Sequence, residues 1–180
     1  MNYAFRLQPE GGPLTLEQPL HLGPILQDAP LQILFEFIIQ PDALNKDSVL
    51  LLDGLLKASI TAWPTPVSPI RLRLARDVRS EPGSNPPPTK VLSALSRLTL
   101  YRLQERARLE TEAGNYDVAA RHLHNLATHL LSQGEQQLAK TALLEADHIE
   151  RMHAMSAAGN KVIKYQTRAL LLAGIKEKAT

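Results

Sequence analysis

Three of the chain's six histidines fall within one short stretch, GNYDVAARHLHNLATHLLSQG, which runs from Gly114 to Gly134. Imidazoles clustered in this way can hold a divalent metal or relay protons, provided that their spacing lets them converge. At about 100° per residue, Tyr116, Ala119, Ala120, Leu123, Ala127, Leu130 and Leu131 form an apolar stripe along one helix. His122 and His129 lie beyond one edge of that stripe and His124 beyond the other, so the three cannot meet on one ion from this helix alone. His122 and His129 are also two helical turns apart, about 10 Å. They are expected to be surface or rim histidines, and no metal is expected.

The remaining candidates for chemistry fare no better. His148 and His153 are five residues apart rather than the four of a helical zinc pair, and His148 and Glu150 point in different directions. The absence of cysteine excludes disulfides, thiol catalysis and thiolate-held zinc, and it suits a reducing cytoplasm, the expected location. There is no GxSxG, no GxGxxG and no GxxxxGK[ST]; Gly11-Gly12-Pro13 reads as a turn, and Glu110/Glu112 as helix surface. No catalytic residue, cofactor or enzymatic activity is expected.

A net charge of +2 is too small for the concentrated basic stripe of a nucleic-acid binder. The N-terminal MNYAFRLQPEGGPLTLEQ lacks a basic segment followed by an apolar run, and no stretch approaches the about 20 apolar residues of a membrane span. A soluble, unanchored chain is therefore expected, with an apolar fraction of 44% that can supply a core.

Prolines divide the chain. Of thirteen, all but Pro88 lie before position 88, and residues 89–180 contain none. Prolines break helices and are tolerated at strand ends and in loops, so the first part should be β and the second helical. Leu31 to Ile39 alternates as a strand, with Leu31, Ile33, Phe35, Phe37 and Ile39 on one face and Gln32 and Glu36 interrupting the other. Ser48 to Ile60 is either a hairpin turning at Asp53-Gly54 or one long bent strand, of which the bent strand is favoured. Ile70 to Leu74 places Arg71 and Arg73 outward and its aliphatics inward; Tyr3 to Leu7 and Leu14 to Leu22 are shorter strand candidates. The expected fold is α+β: a small antiparallel β-sandwich over residues 1–80, a proline-rich linker over 81–88, and an antiparallel helical bundle over 89–180.

Pro88 can serve as a first helical residue, after which Leu92, Leu95, Leu98/Thr99, Leu103 and Ala107 follow helical spacing up to Gly114. A second helix spans about Tyr116 to Ser132 before Gly134. A third spans about Glu135 to Met155, and a fourth about Lys161 to Leu172 after an Ala-Gly-Asn break. Gly114-Asn-Tyr116 followed by Ala120 and Ala127 follows the logic of a tetratricopeptide hairpin, although the period of about 34 residues does not recur and the closing proline is missing. The expectation is one TPR-like helical hairpin rather than a solenoid.

LTLYRLQERA (98–107), EAGNYDVAARHLHNLATHLL (112–131), GEQQLAKTALLEA (134–146) and KVIKYQTRALLL (161–172) together resemble the C-terminal region of bacterial von Willebrand factor type A domain proteins. In that family a Rossmann-like metal-binding domain precedes a β-rich segment and then helices ending in a motif similar to IKYGTRALL. Ile163-Lys-Tyr-Gln-Thr-Arg168 matches, except that Gln166 replaces the glycine. No DxSxS occurs in the chain, so the resemblance implies the region that follows the metal-binding domain, as an expressed fragment with Met1 introduced by cloning or as a stand-alone relative.

The function expected is a non-enzymatic protein-interaction or scaffolding module that couples to an adjacent von Willebrand-like domain or another protein. Its candidate surface is Lys161, Lys164, Tyr165 and Arg168 on the last helix, beside an apolar face of Val162, Ala169 and Leu172. The alternative is an anionic-ligand or nucleic-acid binder using that helix with Arg71, Arg73, Arg76 and Arg79. The 4% aromatic content gives it few stacking platforms, and Asp77 and Glu81 dilute the patch. A homo-oligomer through the leucine-rich face of Val91 to Leu109 is a further expectation.

Overall fold

A computed structural model of the chain describes residues 1–8, 11–27, 30–41, 47–60, 67–81 and 86–173. Two small antiparallel sheets precede four helices, an α+β arrangement. Two compact units form: Met1–Ala4 with Phe35–Pro86, and Phe5–Leu34 with Pro87–Thr180. Residues 82–85, half of the proline-rich stretch, lie outside the described residues.

The first sheet contains β1 (Tyr3–Gln8), β2 (Gly12–Pro13) and β3 (Gln32–Glu36) in the order β2-β1-β3. As the central strand, β1 is buried on both faces from Ala4 to Leu7. The Phe5 ring packs on Tyr101 with centroids 4.8 Å apart, and the Arg6 guanidinium donates to the carbonyl of Pro24 at 2.6 Å. Leu14 to Leu22 is not a strand; Pro13 and Pro19 remove two ladder donors, and pairing stops at Pro13. β3 is shorter than its alternation suggests, and the exposed Ile38 and Ile39 lie beyond it.

The second sheet is a ribbon of β4 (Ser48–Leu56) and β5 (Ile70–Asp77). β4 is one strand rather than a hairpin, and its irregularity falls between Leu50 and Leu52 instead of at Asp53-Gly54. Leu52, Gly54 and Leu56 pair with Leu74, Leu72 and Ile70, while Asp53 and Leu55 pair with Arg73 and Arg71. The alternation of β5 is as expected, yet its aliphatics are not inward: Ile70 is 57%, Leu72 40% and Leu74 37% exposed. Strand period shows which residues share a face, but burial requires a second layer over that face.

The helices are α1 (Thr89–Glu112), α2 (Tyr116–Ser132), α3 (Gln136–Met152) and α4 (Ala157–Ala173). The Pro88 carbonyl accepts the amides of Val91 and Leu92, so Pro88 precedes α1 rather than opening it. α1 and α2 both end in left-handed glycines. At Gly134, with φ +82°, the Glu135 amide reaches back to the Leu130 carbonyl at 2.9 Å, which satisfies a terminal acceptor. Gly134→Ala is expected to cost about 1 kcal/mol, because a Cβ is disfavoured in that backbone region. Urea denaturation followed by helical circular dichroism measures it, and an unchanged midpoint would contradict this account of the turn.

α2 packs between α1 and α3, and α4 lies against α3 and α1. The core combines Leu100, Leu123, Leu126, Leu130, Leu138, Ile149 and Ile163 with buried alanines at 107, 119, 120, 127, 139, 142 and 146. The small side chains let the helix axes approach closely, as the alanine pattern implies. The buried face of α2 is rotated slightly from the expected stripe: Leu126 is 0% exposed, whereas Leu131 is 53% exposed. In α1, Val91, Leu92 and Leu95 are exposed although they follow the helical period. Gln133, just past the end of α2, donates to the Ser96 hydroxyl at 2.9 Å, so α1 and α2 run antiparallel and the turns of α1 before Ser96 extend past the end of α2.

Candidate partner-binding surface on the last helix

The junction between α3 and α4 fixes the orientation of the candidate surface. α3 ends where His153 adopts φ 54°, with its ring stacked 4.7 Å from that of Tyr116. Three residues later Ser156 caps α4. Its hydroxyl accepts the Gly159 amide at 2.9 Å and its carbonyl accepts the Asn160 amide at 3.0 Å. From the middle of α3, the Glu145 carboxylate accepts both the Ser156 amide and, at 2.7 Å, the Ser156 hydroxyl. Glu145 is 4% exposed, and its negative charge sits at the positive end of α4. The expected Ala-Gly-Asn break is thus the first turn of α4, where Gly159 is buried and a Cβ would collide with the Glu145 carboxylate. A serine three residues before a glycine was a readable cap signal; a carboxylate arriving from eleven residues upstream was not.

From that cap, α4 presents two unlike faces. Gly159, Ile163 and Thr167 are buried, with Val162 and Leu170 half-buried against the bundle. Lys161, Tyr165 and Arg168 recur at spacings of four and three on the opposite face, all exposed, and Lys164 flanks them half-exposed. Tyr165 is 66% exposed. The structure thus brings the four candidate residues together along one side of a single helix. Ala169 is exposed rather than part of the apolar face, and the side chain of Leu172 lies outside the described residues. Gln166 sits exposed inside the helix, where glutamine is favoured over glycine, so no special turn depends on it.

α4 contains no acidic residue. Among the described residues no carboxylate pairs with Lys161, Lys164 or Arg168. The patch can therefore offer three cations and one phenol ring to an acidic, partly apolar surface.

The histidines diverge, as the helical spacing requires. His124 points across to α3, its Nε2 3.8 Å from Glu150 Oε1; His129 is exposed; His122 is half-buried, with an Nδ1 that has no hydrogen-bond partner. Among the described residues no three histidine or carboxylate side chains are grouped so as to hold a metal. No helix among them is long and apolar enough to cross a membrane.

The strand arginines are differently engaged. Arg71 makes a bidentate pair with Asp53, at 3.1 and 3.0 Å, across the β4–β5 ribbon, and Arg79 lies 3.8 Å from Asp77. Arg71 is therefore committed to an internal partner, which weakens the reading of this strand as an anion platform. Its hydrogen bonds hold the Asp53 carboxyl below its usual value of 3.8. Because the folded form favours the ionised carboxylate, the pair contributes at neutral pH and fades as pH falls through the lowered folded-state value. Side-chain carbon NMR should show Asp53 titrating below the usual value, with the midpoint rising in Arg71→Ala. An unshifted Asp53, or one unaffected by that substitution, would contradict the pairing.

Residues 89–173, which hold all four helices, match the family model described as Sll0103-like, C-terminal alpha-helical domain. No curated protein and no solved structure matches the chain.

Proposed function

We propose that the chain is a non-enzymatic protein-interaction or scaffolding module, with its partner site on the outward face of α4. One observation carries this reading. Tyr165, 66% exposed among Lys161, Lys164 and Arg168, stands on a helix whose opposite face is anchored in the core. Tyrosine and arginine dominate binding energy at protein interfaces, and a helix held by a buried face presents them with little ordering cost. The match to a C-terminal helical domain family agrees with a module placed after other domains. Within this reading the neighbour is a von Willebrand factor type A-like domain, in the parent chain or in a separate protein, and its contact surface is acidic.

The test is affinity capture from a lysate of the source organism on the immobilised chain, compared with Lys161→Ala/Tyr165→Ala/Arg168→Ala and read by mass spectrometry. One protein retained by the wild type and lost from the variant supports the reading. Titration of that protein against Tyr165→Ala should then show affinity about 30-fold weaker, the effect of removing one anchor worth about 2 kcal/mol. Equal retention by both forms would remove α4 as the partner site.

A further inference from the structure

α4 is held on the bundle differently from the helices beside it. α2 buries three leucines and three alanines, and α3 buries Leu138 and Ile149 with three alanines. Among the described side chains of α4, Ile163 is the one apolar residue that is fully buried, and Val162 and Leu170 are half-buried. Hydrophobic stabilisation scales with the apolar area removed from water, so α4 receives less of it.

The rest of its seat is polar. Thr167 is 0% exposed, and its hydroxyl has no hydrogen-bond partner among the described residues. Thr99, Thr111, Thr128 and Thr141, inside the other helices, each donate to the carbonyl four residues earlier, at 2.9, 2.8, 3.0 and 3.1 Å. Thr167 does not, and burying an unpaired hydroxyl has a cost that opening the seat recovers. From α3, the Glu145 carboxylate is 4% exposed and accepts its hydrogen bonds from Ser156, the cap of α4. A buried carboxylate regains its hydration when that cap withdraws, which lowers the cost of opening further.

We propose that α4 is a releasable helix, which leaves the bundle as a unit about residues 153–156 while α1, α2 and α3 stay folded. Local opening selects the element with the least buried apolar surface. Release dissolves the ordered row of Lys161, Lys164, Tyr165 and Arg168, so docked α4 is the competent state of that surface and released α4 the incompetent one. This consequence rests on the partner reading. The release itself does not, and it is measured without a partner.

The test is amide hydrogen exchange, followed by NMR on the intact 180-residue chain. Relative to their intrinsic rates, the amides of Ile163, Thr167 and Leu170 should exchange at least about 100-fold faster than those of Leu126, Leu130 and Ile149, through one common opening. Thr167→Val keeps the side-chain shape and nearly the same helix propensity but removes the hydroxyl, so it should slow exchange across α4 about tenfold. Ser156→Ala removes the cap and should speed it about fivefold. Neither substitution should change the exchange of α2. Exchange of α4 in step with α2 and α3 would overturn the proposal, because the four helices would then open only together. So would Thr167→Val leaving α4 exchange unchanged or faster, or Ser156→Ala speeding α2 as much as α4. Loss of partner capture in variants of the outward face bears on the partner site alone, so the two failures are distinguishable.

Discussion

Gly159→Ala is expected to destabilise the helical unit by about 2 kcal/mol, the usual range for forcing an atom into a filled site. The sign is diagnostic, since alanine in place of a helical glycine ordinarily stabilises by about 1 kcal/mol. At Gly159 the added methyl meets the Glu145 carboxylate and crowds the Ser156 hydroxyl. The carboxylate can move aside only by releasing Ser156, whose amide and hydroxyl both donate to it, and so by leaving a buried charge without its partners. Urea unfolding of Gly159→Ala, Glu145→Ala and the double variant separates these effects. Once Glu145 is gone the collision is gone, so the second substitution should cost far less in that background. Strict additivity would contradict the proposed clash.

Leu126→Ala is expected to cost about 3 kcal/mol, through lost burial and the cavity left between α2 and its neighbours. Leu131→Ala on the same helix should stay within about 0.5 kcal/mol. The pair isolates burial from residue type and helix propensity: Leu126 is 0% exposed in the shared core, whereas Leu131 is 53% exposed. Denaturant unfolding of the two variants provides the comparison, and similar losses would mean that α2 is rotated from the position described.

That contrast also marks where sequence pattern lost precision. The division into a β part and a helical part, and the ends of α1 and α2, follow from proline distribution and from Gly114 and Gly134, which are local signals. α2 carries leucines at 123, 126, 130 and 131, and a stripe drawn through Leu131 instead of Leu126 differs from the buried face by only a fraction of a turn. Only the neighbouring helices decide which are covered. Gly159-Asn160 resembled a break because the reason for that glycine, a carboxylate from α3, is tertiary. Similarly, alternation in Ile70 to Leu74 identifies a strand and its two faces, while the exposure of both depends on whether anything packs against the ribbon. Lys161, Lys164, Tyr165 and Arg168 lie along one side of α4, because a periodic helix preserves angular relations. Of the apolar companion face, Val162 packs against the core but Ala169 is exposed, and Ile163 and Thr167 are the fully buried members.

The most direct test of the α4 reading is site-specific photo-cross-linking from position 165, with benzoylphenylalanine in place of Tyr165 and, as a control, in place of the exposed Arg121 on α2. The account predicts that position 165 captures one discrete protein from lysate, that position 121 does not, and that Lys161→Ala/Arg168→Ala abolishes the product. The same products from both positions, or a product indifferent to the loss of the two cations, would contradict a partner site on the outward face of α4.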